Sequence, residues 1–149
     1  VSLLLIVALL AHPAWAAPAA PDLSSRAGAA YTLFLNFSGF TWNQEWTTGK
    51  TPGTVPAYTT DGDASTFTST ELGYIKNVWS RVAEKFAAFN VNVTTVDPAT
   101  AGLTDADRQT FYNGQAKMMH TVIGGNNAWY GGGGGVSYVG VTAGSWNAT

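Results

Sequence analysis

The sequence predicts an α/β domain. Three observations carry that reading. Tyr31–Phe37 is an apolar run rich in strand formers, a stripe of apolar residues recurs at helical spacing between 69 and 87, and Phe89–Val96 switches at once to period two. Strand, long helix, strand is the layout in which a helix crosses one face of a sheet. A chain of 149 residues has room for one such domain with a real core.

The composition excludes several classes. Charged residues make up 11% of the chain, against an ordinary share of about 25%. Aromatic residues reach 13% and include six Trp, the reverse of a solvated disordered chain. The net charge is −2 and the seven Lys and Arg are scattered, so there is no electrostatic footprint for nucleic acid. Without cysteine there is neither a disulfide framework nor a thiolate metal site.

Val1–Leu10 (VSLLLIVALL) is apolar, and His12, Pro13 and Ala14-Trp15-Ala16 follow it. An apolar run too short to span a bilayer, ending in an A-x-A pattern, predicts a signal peptide over 1–16 and a secreted, extracellular protein without a membrane span. No initiator Met or basic segment precedes Val1, so this peptide is expected to be truncated at its start. Residues 17–30 read as a leader whose Ala/Pro-rich part, Ala17–Pro21, is not expected to pack. The domain is placed at 31–149. Its last residues, Ser145–Thr149, follow a strand-like run with no closing element, which predicts a fragment.

In Tyr31–Phe37 the residues Leu33, Leu35 and Phe37 form one apolar face, while Thr32, Phe34 and Asn36 form a mixed one. A strand buried on one side and partly on the other is expected. Gly39–Pro56 reads as loop, broken by Gly49, Pro52, Gly53 and Pro56. Thr59–Ser65 (TTDGDAS) reads as a turn. Asp61 and Asp63 also raise a calcium loop, but Gly62 lies between them and Glu71 is the eleventh residue counted from Asp61, which is not EF-hand spacing.

Thr68 and Glu71 form a capping box, and Leu72, Ile75, Trp79, Val82 and Phe86 then repeat at 3-4-3-4. This predicts an amphipathic helix over 69–87 with its aromatics in the core and Lys76, Arg81, Glu84 and Lys85 off the stripe. Phe89, Val91 and Val93 share one face of the next strand, which Asp97-Pro98 ends. Asn36-Phe37-Ser38, Asn92-Val93-Thr94 and Asn147-Ala148-Thr149 match the glycosylation sequon, and matches inside strands are expected to be chance. A short helix is expected from Thr104 to Gly114, with Thr104 as its cap and Asp105 and Asp107 in its first turn. Met118–Ile123 and Val136–Val141 complete the strands.

Five glycines, Gly131–Gly135, precede that last strand. A phosphate loop or a dinucleotide fingerprint would open a helix, and neither a helix nor a lysine follows here. Trp129, Tyr130 and Tyr138 flank the run and favour burial over a slack linker. His120 is the one histidine outside the leader and reads as structural. Glu45, Glu71 and Glu84 are assigned to loop or helix surface, so the chain holds no complete active site of its own.

Four stretches, YTLFLNFSGFTWN, PAYTTDGDASTFTSTELGYIKNVWSRVAEKFAAFNVNVTTVDP, HTVIGG and WYGGGGGVSYVG, occur in that order over residues 31–141. Together they resemble the N-terminal part of the catalytic domain of secreted bacterial zinc metallopeptidases of the metzincin type. The resemblance implies a zincin-like twisted mixed sheet with a long backing helix, here 69–87. It also implies an edge strand that pairs antiparallel with an extended peptide or protein substrate. Val136, Ser137, Tyr138, Val139 and Gly140 are then the substrate-binding residues, and the glycine run allows a bulge or bend where substrate backbone comes close. Zinc is the implied cofactor. In such enzymes the next helix carries H-E-x-x-H-x-x-G-x-x-H, whose histidines hold zinc and whose glutamate takes a proton from the metal-bound water. The 149 residues contain no such motif, so none is assigned as ligand or base, and this stretch alone is expected not to hydrolyse peptides.

The alternative is a non-catalytic exported module that binds carbohydrate through exposed Trp42, Trp46, Trp129, Tyr130 and Trp146. Under the peptidase reading one face of the sheet lacks a covering helix, which predicts marginal stability and exposed apolar surface.

Overall fold

The computed structural model describes residues 17–125 and 128–137. The expected signal peptide and the residues from Tyr138 onward lie outside them. The elements are β1 (Tyr31–Asn36), β2 (Phe40–Trp42), β3 (Gly53–Val55), α1 (Ser69–Lys85), β4 (Val91–Thr94), α2 (Asp105–Asn113) and β5 (Met118–Val122). The molecule is mixed α/β. Strands β4, β1 and β5 form a parallel sheet in that order, with Leu33 paired to Val93 on one side and to Met119 on the other. Strands β2 and β3 form a separate antiparallel hairpin. The hairpin falls inside the stretch read as loop, because strands of three residues are too short to show a period.

Helix α1 begins as its sequence requires. The Thr68 hydroxyl accepts from the Glu71 amide, and the Glu71 carboxylate accepts from the Thr68 amide. Its stripe lies on the face made by alternate residues of the sheet. Ile75 is fully buried with Leu33, Leu35, Phe37 and Val93, and Trp79, Val82 and Phe86 pack around them. Burial contributes about 1.5–3 kcal/mol for each such side chain. The indole of Trp79 also donates to the carbonyl of Val93 at 2.9 Å, tying helix to sheet.

The helix stops at Lys85, two residues short of the expected end, with Phe86 as its cap. Phe89 then falls in the turn before β4 and is 59% exposed, so it does not share the buried face of Val91 and Val93.

The other face of the sheet is covered, contrary to expectation. Phe34 is buried there with Phe40 of β2 and Tyr112 of α2, and Met118, Val122, Phe111 and Trp42 pack around them. Helix α2 carries the expected Thr104 cap. Thr41 donates to Asp105 at 2.8 Å, joining α2 to the hairpin. β1 is therefore buried on both sides, as the central strand of a three-layer arrangement should be.

The leader also differs from expectation, because its bonds come from backbone rather than apolar side chains. Ser24 bridges Thr94 antiparallel, Thr95 N donates to Leu23 O at 3.0 Å, and Ser25 N donates to Val93 O at 3.0 Å. Ala20 packs against the α1-side core. The leader is thus a strap along the outer edge of β4. Among the described residues no helix is long and apolar enough to cross a membrane.

Candidate functional site

In open α/β sheets, ligands favour the carboxyl ends of the strands, where the strand order reverses. Here β1 is followed by β4 on one side, and the chain then crosses to β5 on the other, so the reversal lies between β1 and β5. At that point Asn36, the last residue of β1, is buried. Its Oδ1 accepts from Ser38 N at 2.9 Å, which orients the amide. Its Nδ2 then faces Gly39 O at 3.2 Å and His120 Nε2 at 3.1 Å.

His120 sits among three rings: Phe34 stacked at 5.3 Å, Phe40 edge-on at 4.8 Å and Tyr112 tilted at 4.3 Å. Burial pushes its imidazole down to about 4, so it is neutral at pH 7. With the Asn36 amide donating to Nε2, the hydrogen-bond pattern assigns its proton to Nδ1. Tyr112 donates to Asp97 at 2.8 Å, and Asp97 pairs with Arg108 at 3.0 Å. Burial, and then the Asp97 carboxylate, raise the Tyr112 phenol, so it remains a neutral donor. An imidazole with Nε2 engaged and its ring enclosed is a packing element, the structural role its isolation in the sequence suggested. It is poorly placed to hold zinc. Among the described residues no three or more His, Cys, Asp or Glu side chains are grouped so as to hold a metal ion.

The segment between β3 and Tyr58 crosses these strand ends. Tyr58 N donates to Phe37 O at 2.9 Å. A Cβ on Gly39 would lie 2.8 Å from Ala57 N, and one on Gly124 2.6 Å from Pro56 O, so both positions require glycine. Beside this crossing an open cleft of about 330 Å³ is lined by Pro56–Thr59 and Ile123–Gly125.

Glu71 corrects a sequence expectation. Assigned to the helix surface, its residue is fully buried. Its carboxylate turns back over the helix start and accepts from Thr60 N at 2.7 Å, Thr68 N at 2.8 Å and the Thr68 hydroxyl at 2.9 Å. These bonds, the Thr60 amide first, hold it at about 2. Thr59–Ser65 is a turn whose carboxylates fold onto their own loop: Asp61 accepts from Asp63 N at 2.9 Å and Asp63 from Ser65 N at 2.8 Å.

Of the five residues assigned to the substrate strand, Val136 is half-buried and Ser137 exposed, both outside any strand. Tyr138, Val139 and Gly140 lie outside the described residues. Gly131 and Gly132 take left-handed backbone, with φ of 120° and 85°, in open space. Close backbone approach instead occurs at Gly124, earlier in the same stretch. Of the five aromatics offered for carbohydrate, Trp46 meets Trp129 edge-on at 6.2 Å, and Trp129 meets Tyr130 at 5.2 Å. Trp42 packs instead in the α2-side core, and Trp146 lies outside the described residues.

Sequence reasoning missed Asn36 as an organising group, and found Glu71 as the capping-box acid but not its burial or its bond to Thr60. The signals were a lone amide in an apolar strand and a carboxylate three residues after a cap. Comparison with known protein families, with curated proteins and with solved structures finds no match to this chain.

Proposed function

We propose that these residues form the N-terminal part of the catalytic domain of a secreted, zinc-dependent endopeptidase with a zincin-like fold, acting on peptide or protein substrates. The observation that supports it best is at β5. Among the described residues no strand pairs with its outer edge, and the chain runs from its carboxyl end into the glycine-rich stretch before Val136. A strand added there from beyond Ser137 would extend the sheet and offer its own edge to an extended substrate. Helix α1, packed along one face of the sheet, fits the backing helix of the resemblance. The zinc ligands are assigned to none of the residues present.

Sequencing the locus beyond the Thr149 codon over about a hundred further codons tests this. An H-E-x-x-H-x-x-G-x-x-H motif in frame supports the proposal. An intact reading frame without it defeats the proposal.

A second reading has its own observation: Trp46, Trp129 and Tyr130 converge, with Tyr130 40% exposed. Such a cluster suits stacking against sugar rings in a non-catalytic carbohydrate-binding module. Titrating the chain with soluble glycans while following tryptophan fluorescence tests it. A saturable blue shift supports stacking, and an unchanged spectrum opposes it.

A further inference from the structure

The cleft between Pro56–Thr59 and Ile123–Gly125 is fixed by contacts on both of its walls. Tyr58 N donates to Phe37 O at 2.9 Å, and the Tyr58 ring meets that of Phe37 edge-on at 6.0 Å. Ile123 N donates to Asn36 O at 2.8 Å, so the opposite wall hangs from the end of the same central strand. Tyr58 and Ile123 are half-buried and pack against the α1-side core. Where the walls meet, Gly124 lies against the Pro56 carbonyl, and a Cβ on Gly125 would stand 2.9 Å from Pro56 Cδ. The hollow is therefore present before any ligand arrives.

Size and chemistry narrow what it can hold. A closed apolar cavity of about 150 Å³ takes benzene. At about 330 Å³ and open on one side, this cleft has room for a phenyl or indole ring and part of the chain that carries it. Its lining offers a proline ring, a tyrosine ring and the Ile123 side chain, surfaces on which an aromatic ring packs. No Lys, Arg, Asp or Glu lines it, so neither a free carboxylate nor an ammonium group would meet a counter-charge. The polar partners are main-chain ones. Among the described residues the amides of Thr59 and Gly125 make no hydrogen bond, which leaves the lining with donors for a neutral carbonyl. A ring next to a neutral carbonyl is an aromatic residue within a peptide, rather than a free amino acid or a sugar.

We propose that this cleft is a subsite for a Phe, Tyr or Trp side chain of a polypeptide ligand, bound together with the adjoining peptide group. Its position follows the rule for open α/β sheets, at the carboxyl ends of β1 and β5 where the strand order reverses. That the polypeptide is a substrate rests on the peptidase reading, because the cleft stands where β5 gives way to the glycine-rich stretch that leads to the proposed substrate edge. Binding of the aromatic residue itself requires neither zinc nor a downstream helix.

Saturation-transfer NMR of the full chain with N-acetyl-phenylalaninamide, N-acetyl-tryptophanamide and N-acetyl-alaninamide tests this. The two aromatic amides should bind with a Kd on the order of 1 mM, as a single-residue ligand allows. The alanine amide, which lacks the ring, should bind at least about tenfold more weakly. In isotope-labelled protein, intermolecular NOEs should connect the ligand ring to the Ile123 methyl groups. Thr59→Trp, which sets an indole in the cleft, should abolish the binding while circular dichroism shows the fold retained. Should that variant fail to fold, the NOEs on the parent chain decide alone. No saturation transfer up to about 10 mM ligand overturns the proposal, as does equal binding of the alanine amide. NOEs to Trp46, Trp129 and Tyr130 in place of Ile123 overturn it too. The codons beyond Thr149 test the peptidase reading separately, so the subsite can stand where the zinc motif is absent and fall where it is present.

Discussion

The side-chain amide of Asn36 faces His120 Nε2 at 3.1 Å, fastening the central strand to β5 at the carboxyl end of the sheet. The contact needs an unprotonated Nε2, because an imidazolium would present a donor to a donor. One hydrogen bond therefore joins the sheet's integrity to the charge state of a buried ring.

Acid should weaken the fold through His120. Its imidazole is pushed from the ordinary 6.5 down to about 4 by burial, with Asp97 opposing the shift and Arg108 adding to it. A depressed folded value means that protons bind the unfolded chain more readily. The stability is present above 6.5 and lost as pH falls from 6.5 towards 4. The loss amounts to about 3 kcal/mol. Urea midpoints across this range check it. In His120→Phe the slope over this window should vanish; an equal slope in both proteins would assign it elsewhere.

Glu71 should act in a lower window. Its carboxylate is held from 4.5 down to about 2 by the Thr60 amide first and by Thr68. Its contribution is present above 4.5 and lost as pH falls towards 2. Glu71→Gln should lower the unfolding midpoint at pH 7 and remove this acid slope, because an amide nitrogen cannot accept from the backbone donors. Unchanged acid unfolding in Glu71→Gln would show that the carboxylate is not held by these bonds.

Elements with a period were legible before the structure, and elements made of backbone contacts were not. The 3-4-3-4 stripe and the Thr68–Glu71 box located α1 to within two residues at its end, since both signals are local. Thr104 located α2 for the same reason. The strap is not legible in the sequence because Ala and Pro give no apolar pattern, although Leu23 and Ser25 bond through their main chain. Phe34 reads as part of a mixed face because Thr32 and Asn36 share it, while its apolar neighbours, Phe40 and Tyr112, come from other elements. Glu71 reads as a surface residue in the sequence because its partner Thr60 approaches from a loop outside the helix.

Glycine's role should differ sharply within one stretch. Gly124→Ala places a Cβ 2.6 Å from the Pro56 carbonyl, where backbone faces backbone and neither can swing aside. It should cost about 1–3 kcal/mol. Gly134→Ala meets nothing within 4 Å and has no left-handed φ, so its effect should stay within about 0.5 kcal/mol. Denaturant unfolding of the two variants checks the contrast. Equal costs would mean that the segment after β3 does not cross the strand ends as closely as described.

The covered second face makes the most direct stability prediction. Phe34 is 3% exposed, its ring 6.0 Å from that of Tyr112 and 5.3 Å from His120. Were that face open, removing the ring would take away little buried surface and leave no cavity. Enclosed by α2 and the hairpin, Phe34→Ala should cost about 3–5 kcal/mol, a large part of a small domain's stability. The parent chain should unfold in one cooperative step, with near- and far-ultraviolet circular dichroism losing signal together. A broad melt, or a Phe34→Ala variant as stable as the parent, would return this face to solvent.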